Sequence, residues 1–141
     1  MIEIIYCEEV EKMKPKFRAW TEEGKAMYYD VYPFKDDTLL LSYDELAFDE
    51  VPASDFILMQ STELKDKNGK EIYEGDIVRI FDCDGDVYAT PVVWDKNYAC
   101  FGVSFGGKYP ISFDYLEEFY TALKDIEVAG NIYKNPELLI G

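Results

Sequence analysis

Residues 60–80, QSTELKDKNGKEIYEGDIVRI, are the stretch whose reading decides the fold. Two turn signals sit inside it. Asn68-Gly69 is expected to supply the two positive-φ residues of a tight type I′ hairpin, because Gly carries no Cβ and Asn tolerates left-handed geometry. Glu74-Gly75-Asp76 is a second turn, and the β-rich run IVRIF leaves it over residues 77–81. A glycine–acid turn feeding a short apolar strand is how many small SH3-like barrels begin their first long strand.

Upstream, residues 16–20 and 25–29 read as strands joined by Thr21-Glu22-Glu23-Gly24, with Gly24 where a left-handed residue is wanted. Residues 28–34 alternate aromatics until Pro33 interrupts. In residues 36–46 the apolar run Leu39-Leu40-Leu41 is followed by Ser42, a candidate cap for a short helical turn. Residues 51–54 read as a linker, with a boundary near Pro52, and residues 55–60 as a strand leading into the central stretch.

Downstream, Asp82-Cys83-Asp84-Gly85-Asp86 is a turn, and residues 87–94 return as a strand antiparallel to residues 77–81. Pro91 lacks a ladder donor, which predicts an edge position or a bulge. Asp95-Lys96-Asn97 and Gly106-Gly107 mark further turns. Leu116, Phe119, Tyr120 and Leu123 stand at helical spacing and predict one amphipathic helix over residues 115–123. Residues 126–133 read as the closing strand. Asn135-Pro136-Glu137 then supplies an N-cap, a proline at the first position and an acid, opening a terminal helical turn.

Composition bounds the chemistry. At 141 residues the chain is long enough for a true core, and 48% hydrophobic with 16% aromatic residues argues against disorder. No run approaches the ~18 apolar residues of a membrane span, and residues 1–11 lack the basic start of a signal peptide. A cytoplasmic location in a bacterial host is expected. Cys7, Cys83 and Cys100 are an odd number without C-x-x-C spacing and fit reduced thiols. The absence of histidine removes the commonest general base and metal ligand, and every Ser-His or Cys-His pair. With 29 acids against 14 bases the net charge is −15. That disfavours a phosphate backbone and favours a protein partner with a basic face.

The candidate sites are few. Asp82, Asp84 and Asp86 are the most metal-like group, yet Gly85 stands fourth where a calcium loop wants glycine sixth, and no acid stands twelfth. A hairpin turn is the plainer reading. Gly106-Gly107-Lys108 lacks the spacer and hydroxyl residue of a P-loop. Trp20, Tyr28, Tyr32, Trp94 and Tyr98 could form a stacking surface, although small barrels fill their cores and sheet faces with such residues. Cys83 and Cys100 have no histidine to activate them. No catalytic residue, cofactor or metal ligand is assigned.

Three segments in order, KFRAW (16–20), LMQSTELKDKNGKEIYEGDIVRI (58–80) and IEVAGNIYKNPELL (126–139), resemble the YopX family of phage and prophage proteins. The resemblance implies a mainly β protein with an SH3-like C-terminal barrel, no assigned activity, and structural turns at Asn68, Gly69, Gly75, Asp76, Gly130 and Asn131. That family usually reads T-G-L-K-D, whereas Glu63 stands here where glycine is expected; if the position needs φ > 0, the turn is rebuilt or strained. Residues 1–13 lie outside the resemblance. Met13-Lys14-Pro15-Lys16-Phe17 resembles the usual family start, so Met13 is the expected initiator.

The expected architecture is mainly β: an N-terminal β lobe over residues 14–54, then an SH3-like small barrel with one short helix over residues 55–141. The expected function is that of a non-enzymatic phage accessory protein binding a protein partner, homo-oligomerisation being open, with no nucleic acid and no membrane. Two alternatives are an acidic DNA mimic that inhibits a host nucleic-acid enzyme, and a small carboxylate- or metal-dependent enzyme.

Overall fold

The computed structural model describes residues 16–44, 47–81, 84–105, 109–119 and 125–139. They form two antiparallel sheets and one short helix. The mainly β architecture expected from the sequence is what the chain adopts. Residues 1–13, with the start-site question, lie outside the described residues.

The first sheet holds β1 (Phe17–Thr21), β2 (Ala26–Pro33), β3 (Thr38–Asp44), β4 (Ala47–Pro52), β5 (Ile57–Lys65) and β6 (Glu71–Tyr73), in the order β4-β3-β2-β1-β5-β6. β1 runs through its middle because both of its edges are used, by β2 and by β5. The expected division between residues 14–54 and 55–141 falls in the 3-10 turn Ala53–Asp55, and the next strand, β5, bonds back to β1 within the same sheet. Ala19, Val31, Leu39 and Leu41 pack as this sheet's core, flanked by Phe17, Tyr28 and Phe56.

Two local readings are corrected here. Ser42 caps no helical turn; it lies inside β3 opposite Phe48, where the run Leu39-Leu40-Leu41 alternates as a strand. In the β1–β2 loop Lys25 takes the left-handed conformation at φ 52, rather than Gly24. The loop runs four residues before Ala26 pairs with Thr21, which shifts the left-handed position one residue onward.

The second sheet holds β7 (Asp76–Phe81), β8 (Val87–Asp95), β9 (Cys100–Phe105), β10 (Tyr109–Ser112) and β11 (Glu127–Asn131), in the order β10-β9-β8-β7-β11. A meander whose last strand returns beside its first is SH3-like wiring. β7 and β8 form the expected antiparallel pair, ending at Phe81 opposite Val87, with Gly85 at φ +85 in the turn. Its core joins Val78, Ile80, Val92, Val103 and Ile126 to Phe113 and Leu116 of α1 (Phe113–Phe119). The helix starts two residues before the expected Tyr115, because Ser112 accepts the Tyr115 N–H at 3.2 Å and so opens the turn. Tyr120 and Leu123 lie outside the described residues.

Pro91 is neither at an edge nor in a bulge. β8 is a central strand that changes partner at this residue: Val87 to Pro91 pair with β7, and Val92 to Asp95 with β9. Opposite the missing N–H, the Thr90 hydroxyl donates to the Ser104 carbonyl at 2.8 Å, so the ladder acceptor is still satisfied.

Candidate functional site

The turns of the central stretch hold the two sheets to one another. Asn68-Gly69 is a turn as expected, but of another type. Gly69 alone has positive φ, +78; its N–H reaches the Asp66 carbonyl at 3.0 Å, and the Asp66 N–H reaches the Lys70 carbonyl. Three loop residues therefore separate Asp66 from Lys70, which gives a type I turn closed by a left-handed glycine rather than type I′. Loop length, not the dipeptide, decides the type.

Asp66 organises this turn. Its Oδ1 accepts the Asn68 and Lys70 N–H groups at 2.9 and 2.8 Å, and its Oδ2 accepts the Val128 N–H of β11 at 2.9 Å. Burial pushes the carboxyl up, but those three amides outweigh it and leave the pKa below the usual value. Sequence reasoning passed over Asp66, although an acid two residues before Asn-Gly is an Asx-turn signal.

Gly75 and Asp76 do the same for the next turn. Gly75 takes φ +87, and a Cβ there would lie 2.9 Å from Met59 Sδ. Met59 could move aside, so it is the positive φ that calls for glycine here. Asp76 accepts the Tyr73 N–H at 2.8 Å and pairs with Arg18 of β1 at 2.9 Å, both side chains 2% exposed. Arg18 also donates to the Glu74 carbonyl and lies over the Tyr73 ring at 4.8 Å, while its Nε has no acceptor among the described residues. Burial drives the Asp76 carboxyl upward, opposed by Arg18 and the Tyr73 amide. Beside it Trp20 stacks on Tyr133 at 5.8 Å. The shell is sealed and serves the fold.

Gly130 and Asn131 belong to a third turn. Asn131 Oδ1 accepts the Tyr133 and Lys134 N–H groups, and Asn135 Oδ1 accepts the Asn131 N–H at 3.2 Å. A Cβ on Gly130 would collide with that Asn135 oxygen at 2.4 Å. The Asn135 side chain thus faces backward, and Pro136–Leu139 forms a 3-10 turn.

Of the metal-like acids, Asp82 lies outside the described residues, as does Cys83. Asp84 and Asp86 are exposed in the β7–β8 turn, and no group of three candidate ligands converges among the described residues. Residues 106–108 likewise lie outside them.

Two open surfaces remain. The first is aromatic. Asp30, at φ 57, is a bulge in β2: Arg18 stands opposite Tyr29 and Phe17 opposite Val31. With Val31 facing inward, Tyr29 and Tyr32 face the other way. Each makes an edge-to-face pair, Tyr29 with Tyr73 at 5.7 Å and Tyr32 with Phe48 at 5.9 Å. Tyr32 and Phe48 remain 47% and 54% exposed, with Phe34 open nearby in sequence. Of the other aromatics proposed for stacking, Trp20 is core, Tyr28 packs on Phe56, and Trp94 meets Phe101.

The second is a groove of about 500 Å³ in the five-stranded sheet, lined by Asp95, Tyr98, Cys100, Ile111, Ser112 and Tyr115. Burial raises the Cys100 thiol, and the charges of Asp95 and Asp114 raise it further. A thiol held protonated in this way is a poor nucleophile. No helix among the described residues is long and apolar enough to cross a membrane.

Together these features define a mainly β protein of two antiparallel sheets, pinned by a buried Arg–Asp pair and three side-chain-locked turns. The chain belongs to the YopX protein family, whose pattern matches residues 16–140. It is similar to two solved structures. Protein EF1440 from Enterococcus faecalis is 27% identical with a TM-score of 0.65, the match covering 89% of this chain and 98% of that one. Protein yopX from Bacillus subtilis is 27% identical with a TM-score of 0.59, covering 88% and 97%. No curated protein matches the chain.

Proposed function

We propose that the chain is a phage or prophage accessory protein that acts without catalysis by holding a protein partner with a basic face. The phage setting comes from the family resemblance. The observation that carries the binding reading is the aromatic shelf of Tyr29, Tyr32 and Phe48, left open on a sheet whose exposed residues include Asp30 and Glu50. Half-exposed Tyr and Phe on rigid strands give contact area at little entropic cost. Surplus acid around them favours a partner of opposite sign and hastens its approach.

The test is a pull-down of the tagged chain from lysogenic cells beside a Tyr32→Ser/Phe48→Ser variant. Both side chains lie outside the core clusters, so the variant should fold. A partner lost with the variant, whose association slows as salt rises, supports the proposal. Capture that is indifferent to both changes refutes it.

A further inference from the structure

Asp95 ends β8 directly opposite Cys100, at the start of β9. It is a buried carboxylate, only 7% exposed. Its Oδ1 accepts the Asn97 N–H at 3.0 Å, which locks the β8–β9 turn. Among the described residues Asp95 has no Lys or Arg partner. Buried charges are ordinarily paired. This one lines an open groove instead, whose wall also includes Tyr98 and Tyr115.

We propose that the groove seats an organic cation, an alkylammonium or guanidinium head, with the Asp95 carboxylate as counter-charge and Tyr98 and Tyr115 supplying ring faces. A single carboxylate flanked by aromatic rings matches an organic cation, which needs one counter-charge and π faces. A hard metal ion wants several oxygen ligands, and no set of three converges here among the described residues. The charges of Asp95 and Asp114 both reach the Cys100 thiol, so the potential along the groove is negative. Asp95 is the acidic residue among those lining the groove, which makes it the counter-charge. The volume of about 500 Å³ is more than the head fills, which leaves room for the carbon chain that carries it. The head arrives either as a free small amine or on a Lys or Arg side chain. This site is separate from the aromatic shelf and does not rest on it.

The experiment is an amide NMR titration of the full chain with n-butylammonium and n-butylguanidinium, and with n-pentanol as an uncharged control of intermediate size. The same titration on Asp95→Asn removes the charge while keeping an oxygen for the Asn97 N–H. Tyr98→Ala is the second variant; Tyr98 is 81% exposed, so its loss leaves the fold alone. Expected are saturable shifts confined to residues 95–100 and 109–115 with the cations and none with pentanol. Asp95→Asn should weaken binding about tenfold or more, and Tyr98→Ala several-fold. A capped peptide with one arginine among glycines separates the sources. Affinity equal to butylguanidinium points to a free amine, and about tenfold tighter binding to a protein side chain. Equal shifts with pentanol, no saturable shift with either cation, or binding untouched by Tyr98→Ala overturns the proposal.

Discussion

Arg18 of β1 and Asp76 of β7 meet at 2.9 Å with both side chains buried, and their contact ties the six-stranded sheet to the five-stranded one. Removing one partner leaves the other charge in a dry interior, whereas removing both does not. Asp76→Asn or Arg18→Met alone should cost about 3–5 kcal/mol in urea unfolding. The double variant Arg18→Met/Asp76→Asn should lose clearly less than the sum, since the introduced amide oxygen would still accept the Tyr73 N–H. Single variants within about 1 kcal/mol of the parent would show that the pair does not hold the sheets.

Asp66 makes a pH-dependent contribution. Its folded pKa lies below the ordinary value, so the stability it adds is present above the unfolded pKa of about 3.9 and is lost as pH falls through the folded one. Asp66→Asn keeps an acceptor for Asn68 and Lys70 but turns an amide toward the Val128 N–H. The expected loss is about 1–3 kcal/mol at pH 7, from a buried N–H left unpaired. The gap between parent and variant should narrow toward pH 3. A gap that stays constant across that range would mean the carboxylate charge is irrelevant.

Glu63 stands at φ 65, in the left-handed region, where the strand β5 shifts register between Ser61 and Lys65. Its N–H is held by the Ser61 hydroxyl at 2.9 Å. The non-glycine residue costs about 1–2 kcal/mol in that conformation, partly offset by glycine's greater freedom when unfolded. Glu63→Gly should therefore stabilise the fold by about 0.5–1 kcal/mol, while Glu63→Ala should not. A lower melting temperature for Glu63→Gly would show that the position is unstrained.

What the sequence disclosed follows from the range of each interaction. The turns at Gly69, Gly75 and Gly85 and the β7–β8 pairing were legible because turn chemistry acts within a few residues. At position 63 the family resemblance, with glycine where Glu63 stands, raised positive φ only as a condition, and Glu63 meets it at φ 65. The type of the Asn68-Gly69 turn was not, since it depends on Asp66 N–H finding the Lys70 carbonyl. Pro91 was misplaced because Thr90 supplies its missing donor from a side chain. The groove escaped reading altogether: Asp95, Cys100, Ile111 and Tyr115 come from β8, β9, β10 and α1, and nothing in linear order brings them together. The Asp95-Lys96-Asn97 turn was visible, but not the groove that the Asp95 carboxylate lines.

Salt should stabilise the fold. Six ion pairs occupy six bases among the described residues, against 29 acids in the chain. Five of the pairs are at least partly exposed, and salt weakens them slightly, yet the chain carries a net charge of −15. Screening their repulsion wins. The melting temperature at neutral pH should rise between low and physiological ionic strength; a flat or falling trend would mean that the acids repel one another little.

The chain should hold neither DNA nor RNA at physiological salt. Binding a phosphate backbone needs several Lys or Arg free on one face. Here Arg18 is buried against Asp76, and Lys16, Lys25, Lys35, Lys67 and Arg79 each meet a glutamate. Lys65, Lys67 and Lys70 gather at one turn, where Lys67 and Arg79 share Glu127, so this small group of bases carries its own acid. The surplus acids add a field that repels the polyanion as it approaches. Fluorescence anisotropy with single- and double-stranded probes across a salt series should show no saturable change. Micromolar binding that weakens with salt would require a basic surface strong enough to overcome the surplus acids, and would overturn the proposal of a basic protein partner.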